Sequence, residues 1–470
     1  MGVGVSNWRL ARAVARLGQL GVVSGTALDL VFVRRLQDGD PGGHMLRGLQ
    51  SFPFRKMAER IWNKYFIPGG KAPDAPYKPL PMHNCDGPAE RRELCIVGNF
   101  VEVALAREGH DNPVGVNYLE KVQIPHLSSL YGALLAGAGY VLMGAGIPLR
   151  IPGVLDCLAQ HQPATYSVRV AGAEAAEETV VAFAPRDFME VDLPPLMRPD
   201  FLPIIASNTL ATTMLKRANG RVDGFVVEGP TAGGHNAPPR GKGPLSETGE
   251  PVYGERDEVD LEKLKELGVP FWLAGGYGTP ERLREALAAG AAGIQVGTVF
   301  ALCEESGLRE DYKRAILESL VTGEARVFTD PLASPTGFPF KTVSLEGTVA
   351  EASVYALRPR ICDLGYLREA YRLASGGIGY RCAAEPVATY LAKGGLVAKT
   401  TGRKCLCNAL LANIGLSQIQ PDDYVETGLV TCGDALADLA DLGDLPGFLP
   451  NRTPSYSAAD VLARLLGDQG

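Results

Sequence analysis

Short apolar runs, each closing on glycine or a small polar residue and each followed by a helix-like stretch, recur along most of this chain. They read LGVVSG (Leu20 to Gly25), LCIVGNF (Leu94 to Phe100), PVGVNYL (Pro113 to Leu119) and YVLMGAG (Tyr140 to Gly146). LPIIAS (Leu202 to Ser207), VDGFVV (Val222 to Val227), VPFWLAGG (Val269 to Gly276) and AAGIQVGTVF (Ala291 to Phe300) continue the series. Strands buried on both faces lack polar alternation, so they appear as continuous Val/Ile/Leu-rich runs. The intervening segments, such as LSSLYGALLAGAG and TPERLREALAAG, have helical spacing, and the second adds a Thr cap, an early Pro and a closing Gly. Strand–helix alternation of this kind predicts an α/β fold with a parallel sheet and helical crossovers. The count approaches eight pairs when LGVVSG is included.

Three segments break the rhythm. Residues 29–92 are Pro-rich and basic-aromatic and too long for an ordinary connection, so they predict an inserted helical lid. Residues 164–185 read as a hairpin insertion, and 236–258 as a polar Pro/Gly loop. The domain reading is a barrel unit over 1–345 and a C-terminal helical, cysteine-containing appendage over 346–470. The first twenty residues carry arginines and no acid, as a transit peptide would. The plainer reading is a loop and an amphipathic helix with Leu10, Val14 and Leu17 on one face.

Composition narrows the function classes. Hydrophobic residues make up 46% and charged residues 21%, in keeping with a globular α/β protein. A net charge of −7 without a dense Lys/Arg tract gives no support to nucleic-acid or membrane-surface binding. No apolar run reaches the ~18 residues that span a bilayer. Nine cysteines, an odd number, suggest reduced thiols in a cytoplasm.

The chemistry should lie at the carboxyl ends of the strands, where parallel α/β sheets bind ligands. There the chain has GVN (115–117), GAG (144–146), AGG (274–276) and VGT (296–298), and after VDGFVV it reads EGPTAGGHNAP, which places His235 directly behind Gly233 and Gly234. Glycine lets backbone N–H groups approach a phosphate, and a following helix start adds favourable partial charge. Gly275, Gly276, Gly297 and Thr298, on consecutive strands, are the best candidates for such a grip. The amide of Asn117 suits the edge of a pyrimidine-like ring, or equally a turn cap. His235 reads as a proton-handling group or as loop packing.

Taken in order, VNYL, LMGAG, VEGPTAGGH, LAGGYGTPERLREALAAGAAGIQVGTVF and SPTGFPFK resemble the FMN-dependent nitronate monooxygenases, also called 2-nitropropane dioxygenases. The chain is similar too to flavin-type enoyl reductases, and in length it looks nearest to the long-form enoyl reductase components of polyunsaturated fatty acid and polyketide synthases. The resemblance covers roughly residues 1–30 and 94–345. It implies a TIM (β/α)8 barrel binding FMN. Gly275, Gly276, Gly297 and Thr298 would hold the phosphate, Asn117 the ring edge, and Gly144 and Gly146 the pocket lining. Gly2, Gly4 and Ser6 would meet the flavin through backbone, with Ser207, Glu228, Gly233 and Gly234 completing the set. His235 would be the catalytic histidine.

Two reactions are compatible with these motifs: oxidation of nitronates or nitroalkanes with oxygen, and reduction of an enoyl thioester with NAD(P)H, the latter implying an acyl carrier protein as partner. A non-catalytic flavin-binding partner is a third reading, of another class. A homodimer is expected. Family members usually have a strand ahead of the MG.G.S motif, so either a strand lies upstream of it or another segment closes the barrel. Cys362, Cys382, Cys405 and Cys407 cluster in the appendage; they read as ordinary thiols or as ligands of zinc or an iron–sulfur cluster, and no metal ligand is assigned from sequence.

Overall fold

The computed structural model describes residues 2–174, 177–241, 243–436, 439 and 455–467. Its centre is a curled, all-parallel sheet of seven strands. These are β1 (Gly21–Ser24), β2 (Val114–Leu119), β3 (Tyr140–Gly144), β4 (Asp200–Ile205), β5 (Phe225–Glu228), β6 (Phe271–Ala274) and β7 (Gly293–Gln295). They lie side by side in chain order. Each pairs in parallel register with the next, from Gly21 opposite Val114 to Gln295 opposite Ala274. Helices cross between consecutive strands, as right-handed parallel connections require. This is the TIM-type α/β architecture, and its carboxyl-terminal strand ends share one rim.

One element differs from the sequence reading. LCIVGNF is not a strand but the middle of a helix, Ala89–Arg107. Every residue from Leu94 to Val103 is buried, so the helix shows no polar face and its apolar run mimics a core strand. Gly98 and Gly132 let neighbouring backbone come close: a Cβ on Gly98 would sit 2.7 Å from the Leu28 carbonyl oxygen, and one on Gly132 2.1 Å from that of Ile96. Losing that strand leaves seven. Among the described residues no strand joins β7 back to β1, and the seam between them is flanked by Leu10 and Val14 of helix Trp8–Arg16 and by Leu462 and Leu465 of helix Ala458–Leu466.

Helix Trp8–Arg16 starts where Asn7 Oδ1 accepts the amide hydrogens of Arg9 and Leu10. Leu10 and Val14 face the core, while Leu17 falls past the helix end and is 48% exposed. Residues 29–92 carry helices Leu28–Gln37, His44–Gln50 and Arg55–Tyr65, then irregular chain. Ala164–Val168 and Thr179–Phe183 pair antiparallel. Beyond 345 the chain is not helical throughout: Glu369–Arg372 and Ile378–Arg381 form a hairpin, and the first also pairs with Val170–Ala171. The largest core packs the sheet's outer face against its helices. A smaller one, Leu142, Leu202, Val226 and Ala274, fills the inside of the curl.

Candidate active site

The rim of the sheet opens into a cavity of about 650 Å³ that runs down the inside of the curl to the seam. Its glycine-rich end is set by the adjacency of β6 and β7, which brings their two following turns together. Gly275 and Gly276 have φ of +90° and +78°, a left-handed conformation that side chains oppose. A Cβ on Gly275 would also press on Thr231 Oγ1 at 2.9 Å and Ala232 N at 3.0 Å. Gly297 precedes the short helix Thr298–Ala301, and a Cβ there would meet nothing within 4 Å. Open space and exposed amides therefore coincide at this turn. Thr298 Oγ1 accepts the Gly433 amide at 2.8 Å, which leaves its own hydrogen to donate elsewhere.

Asn117 lines the same cavity on β2, opposite Leu142 on β3, and Gly144 lines it two residues further along β3. Gly2 and Ser6 line it from the N-terminal strap, which is tied across β1 by Ser6 Oγ donating to the Val22 carbonyl (2.6 Å) and the Ser24 amide donating to the Ser6 carbonyl (2.9 Å). Leu142, Leu202, Ile204, Val226 and Trp272 make an apolar floor. Glu228, Gly233, Gly234 and His235 complete the wall from the loop after β5. Three residues singled out in the sequence lie outside the lining. Gly4 packs on Ile414, where a Cβ would come within 2.6 Å. Gly146 packs on Glu120, and Ser207 caps helix Asn208–Arg217 by accepting the Leu210 amide.

His235 is held on three sides. Its Nε2 lies 2.7 Å from Ser334 Oγ, its ring meets Phe340 edge-on at 4.9 Å, and its backbone bridges to Phe340. The SPTGFPFK segment, Ser334 to Lys341, thus folds back against the GGH turn. Burial pushes the imidazole pKa down to about 3, and the charge of Lys121 acts in the same direction. The ring is therefore neutral near pH 7, with one nitrogen engaged by Ser334. Burial pushes the Glu228 carboxyl the other way, up to about 7.

Some functional neighbours could not be paired from the sequence, even where, as with Ser334 of SPTGFPFK, they lie in a motif. Ser334 sits 99 positions from His235, and Thr431, whose Oγ1 accepts the Gly234 amide at 2.7 Å, is 197 positions from Gly234. A Cβ on Gly233 would meet the Cys432 backbone at 2.8 Å. Thr431 to Gly433 therefore press directly on the glycine loop. Further along, Leu367, Leu406, Leu410 and Leu411 give the cavity an apolar wall.

Residues 160–330 match the family model described as nitronate monooxygenase. This segment is thus similar to the nitronate monooxygenase family. It contains β4 to β7, His235 and both glycine turns, which is the half of the rim that carries the candidate chemistry. A probable nitronate monooxygenase of Staphylococcus saprophyticus is 30% identical over 122 residues, covering 25% of this chain and 32% of its own length. The nitronate monooxygenase of Paraburkholderia phytofirmans is 29% identical over 164 residues, covering 34% of this chain and 42% of its own. The chain thus spans less than half the length of either relative. Among solved structures, the enoyl reductase domain of MlnA from the macrolactin biosynthesis cluster of Bacillus amyloliquefaciens aligns with 99% of this chain and 94% of that one, at 10% identity and a TM-score of 0.47. A likeness of that size carries no argument about function. Among the described residues no helix is long and apolar enough to cross a membrane.

Proposed function

We propose that the chain is an FMN-dependent oxidoreductase of the nitronate monooxygenase type, acting on nitronates or nitroalkanes with oxygen as co-substrate. The observation that carries this reading is the meeting, in one cavity, of two glycine turns of left-handed or open backbone with a neutral histidine. The residues fit FMN chemically. The turns at Gly275–Gly276 and Gly297–Thr298 offer amides and a hydroxyl to a phosphate. The apolar floor suits a flat ring, and Asn117 can both donate to and accept from its polar edge. When bound, FMN supplies two-electron redox chemistry.

The chain's own residues do the rest. Neutral His235 can take a proton from the carbon beside a nitro group, or donate a hydrogen bond to a nitronate oxygen through the nitrogen not held by Ser334. Ser334 fixes the ring plane, and Phe340 keeps water from its flank. Lys121, partly buried and stacked 4.5 Å from the Phe338 ring, adds positive potential that favours an anion at the mouth. Glu228 stands at the end of β5 as a carboxyl that can hold a proton near neutrality.

A second reading rests on the apolar wall of Leu367, Leu406, Leu410 and Leu411, which suits an acyl chain. Under it the enzyme reduces an enoyl thioester with NAD(P)H, and an acyl carrier protein presents the substrate. Anaerobic stopped-flow mixing of the FMN-loaded protein separates the two. Rapid bleaching of flavin absorbance by a nitronate, with slow bleaching by NADH and NADPH, is the expected result; the opposite order replaces the first reading with the second. Failure of the protein to retain FMN would overturn both.

A further inference from the structure

We infer that Thr231 is a further cofactor-binding residue, its hydroxyl donating to the FMN phosphate from across the Gly275–Gly276 turn, opposite Thr298. The inference rests on the FMN reading proposed above and adds a residue to its phosphate grip. Strands β5, β6 and β7 lie side by side, so the segments that follow them meet in that order along the rim. The left-handed glycine turn after β6 is the middle one. The turn after β7 brings Thr298 to one side of it, and the loop after β5 brings Thr231 to the other.

The position of the Thr231 hydroxyl is set by its neighbours. A Cβ on Gly275 would stand 2.9 Å from Thr231 Oγ1, and one on Gly276 3.6 Å from it. The hydroxyl therefore lies against the turn itself. Pro230 starts the bend that carries it, and the Ala232 amide closes that bend by donating to the Gly229 carbonyl at 3.2 Å. The Gly229 amide donates to the Ala274 carbonyl at 3.1 Å, which ties the bend to the end of β6. From the C-terminal region, the Asp434 amide donates to the Thr231 carbonyl at 2.9 Å. The backbone is thus pinned on two sides, and the side chain is the part left to serve a ligand.

That side chain is unengaged. It lines the large cavity, and among the described residues its hydroxyl has no hydrogen-bond partner. Thr298 Oγ1 accepts the Gly433 amide and keeps its own hydrogen. Gly433 spans the gap between the two threonines. A Cβ there would lie 2.7 Å from the Thr231 carbonyl oxygen and 3.3 Å from Thr298 Oγ1. Both hydroxyls therefore border one small volume beside the glycine turn. A phosphate monoester presents three strong acceptor oxygens. Among the described residues that line the cavity there is no lysine or arginine, so the grip has to be built from neutral donors. Two hydroxyls and the turn amides supply them. The carboxylate of Asp434 is close by, but Lys341 holds both its oxygens and offsets its charge.

The test is equilibrium binding of FMN, and of riboflavin, which lacks the phosphate, to the full-length protein freed of flavin. Flavin fluorescence reports both. The unsubstituted protein should bind FMN far more tightly than riboflavin. Thr231→Val keeps the shape and removes the donor. It should weaken FMN binding about tenfold or more and leave riboflavin binding unchanged, since the lost bond is one to a charged group. Thr231→Ser, which keeps the hydroxyl, should bind both flavins as the unsubstituted protein does. The phosphorus NMR resonance of bound FMN should move in the valine variant and stay in place in the serine variant. Equal losses for both flavins in Thr231→Val would mean a purely structural role and overturn the inference. So would undiminished FMN binding in that variant, or an unsubstituted protein that holds FMN no tighter than riboflavin. An unsubstituted protein that binds neither flavin overturns the FMN reading itself, and the role of Thr231 with it, so the two failures are told apart.

Discussion

His235 and Glu228 share a cavity wall, and burial moves their proton equilibria in opposite directions. An imidazole that titrates near 3 cannot produce an inflection near its ordinary 6.5. The pH profile of flavin reduction should therefore lack a histidine limb there and instead bend near 7, where Glu228 changes charge. Glu228→Gln removes that bend; persistence of the bend in the variant assigns it to another group. His235→Gln should slow flavin reduction by about 100-fold or more, with FMN content unchanged, since general acid–base groups contribute on that scale. Stability follows from the same shifts. Between about 3 and 6.5 the unfolded chain binds the extra proton of His235, so this residue makes stability rise with pH. Between 4.5 and about 7 the folded chain holds the proton of Glu228, so that residue makes stability fall with pH. The two oppose each other from 4.5 to 6.5. Urea midpoints of His235→Gln should decline across that window more steeply than those of the unsubstituted protein.

At the scale of elements, close backbone approach is the feature most sensitive to substitution. Helix His126–Leu135 lies so near helix Ala89–Arg107 that a Cβ on Gly132 would stand 2.1 Å from a carbonyl oxygen, an atom that cannot rotate away. Gly132→Val should cost about 3 kcal/mol or more, read from urea unfolding, because only separation of the helices relieves the clash. Gly132→Ala should be nearly as costly, which distinguishes this contact from loss of helix flexibility. The same helix pair shows where sequence reading stops. The strands β2 to β7 were legible because each is a short apolar run bounded by turn residues, and their glycine ends were legible as a rim. LCIVGNF has the same composition, yet it lies inside a helix walled in on every side. Periodicity carries no information when both faces of an element are buried. The candidate site was legible to a similar extent. His235, Asn117, Gly275, Gly276, Gly297 and Thr298 are short-range signals at strand ends, and they line one cavity. Ser334 opens the SPTGFPFK motif, but its pairing with His235 across 99 positions, like that of Thr431 with Gly234 across 197, is announced by nothing local.

Across the whole molecule, the region beyond 345 is built into the rim. Arg34 Nη1 donates to the Leu416 carbonyl at 2.5 Å, the Arg309 amide donates to that of Asn413, and Thr431 and Gly433 bond to Gly234 and Thr298. The catch on this arrangement is Lys341. Its side chain is 1% exposed, and its ammonium donates to Thr329 Oγ1 at 2.7 Å and to both carboxylate oxygens of Asp434 at 2.7 and 2.8 Å. The Asp434 amide in turn donates to the Thr231 carbonyl, beside the glycine loop. Asp434→Asn strands a buried cation with one full acceptor. Removing one partner of a buried pair costs about 3–5 kcal/mol; because Asp434 is itself 44% exposed and water can reach the gap, about 2 kcal/mol is the expected loss here. The loosened 431–434 segment should also weaken FMN binding, by about tenfold if roughly 1.4 kcal/mol of that loss is felt at the phosphate turns. Both effects are measurable on one sample, by urea unfolding and by fluorescence titration with FMN. The double variant Lys341→Met/Asp434→Leu carries no stranded charge and should recover most of the stability, but not the FMN affinity, if the ion pair works by positioning Thr431 and Gly433. Equal recovery of both would mean that the turns are held by the glycine loop alone.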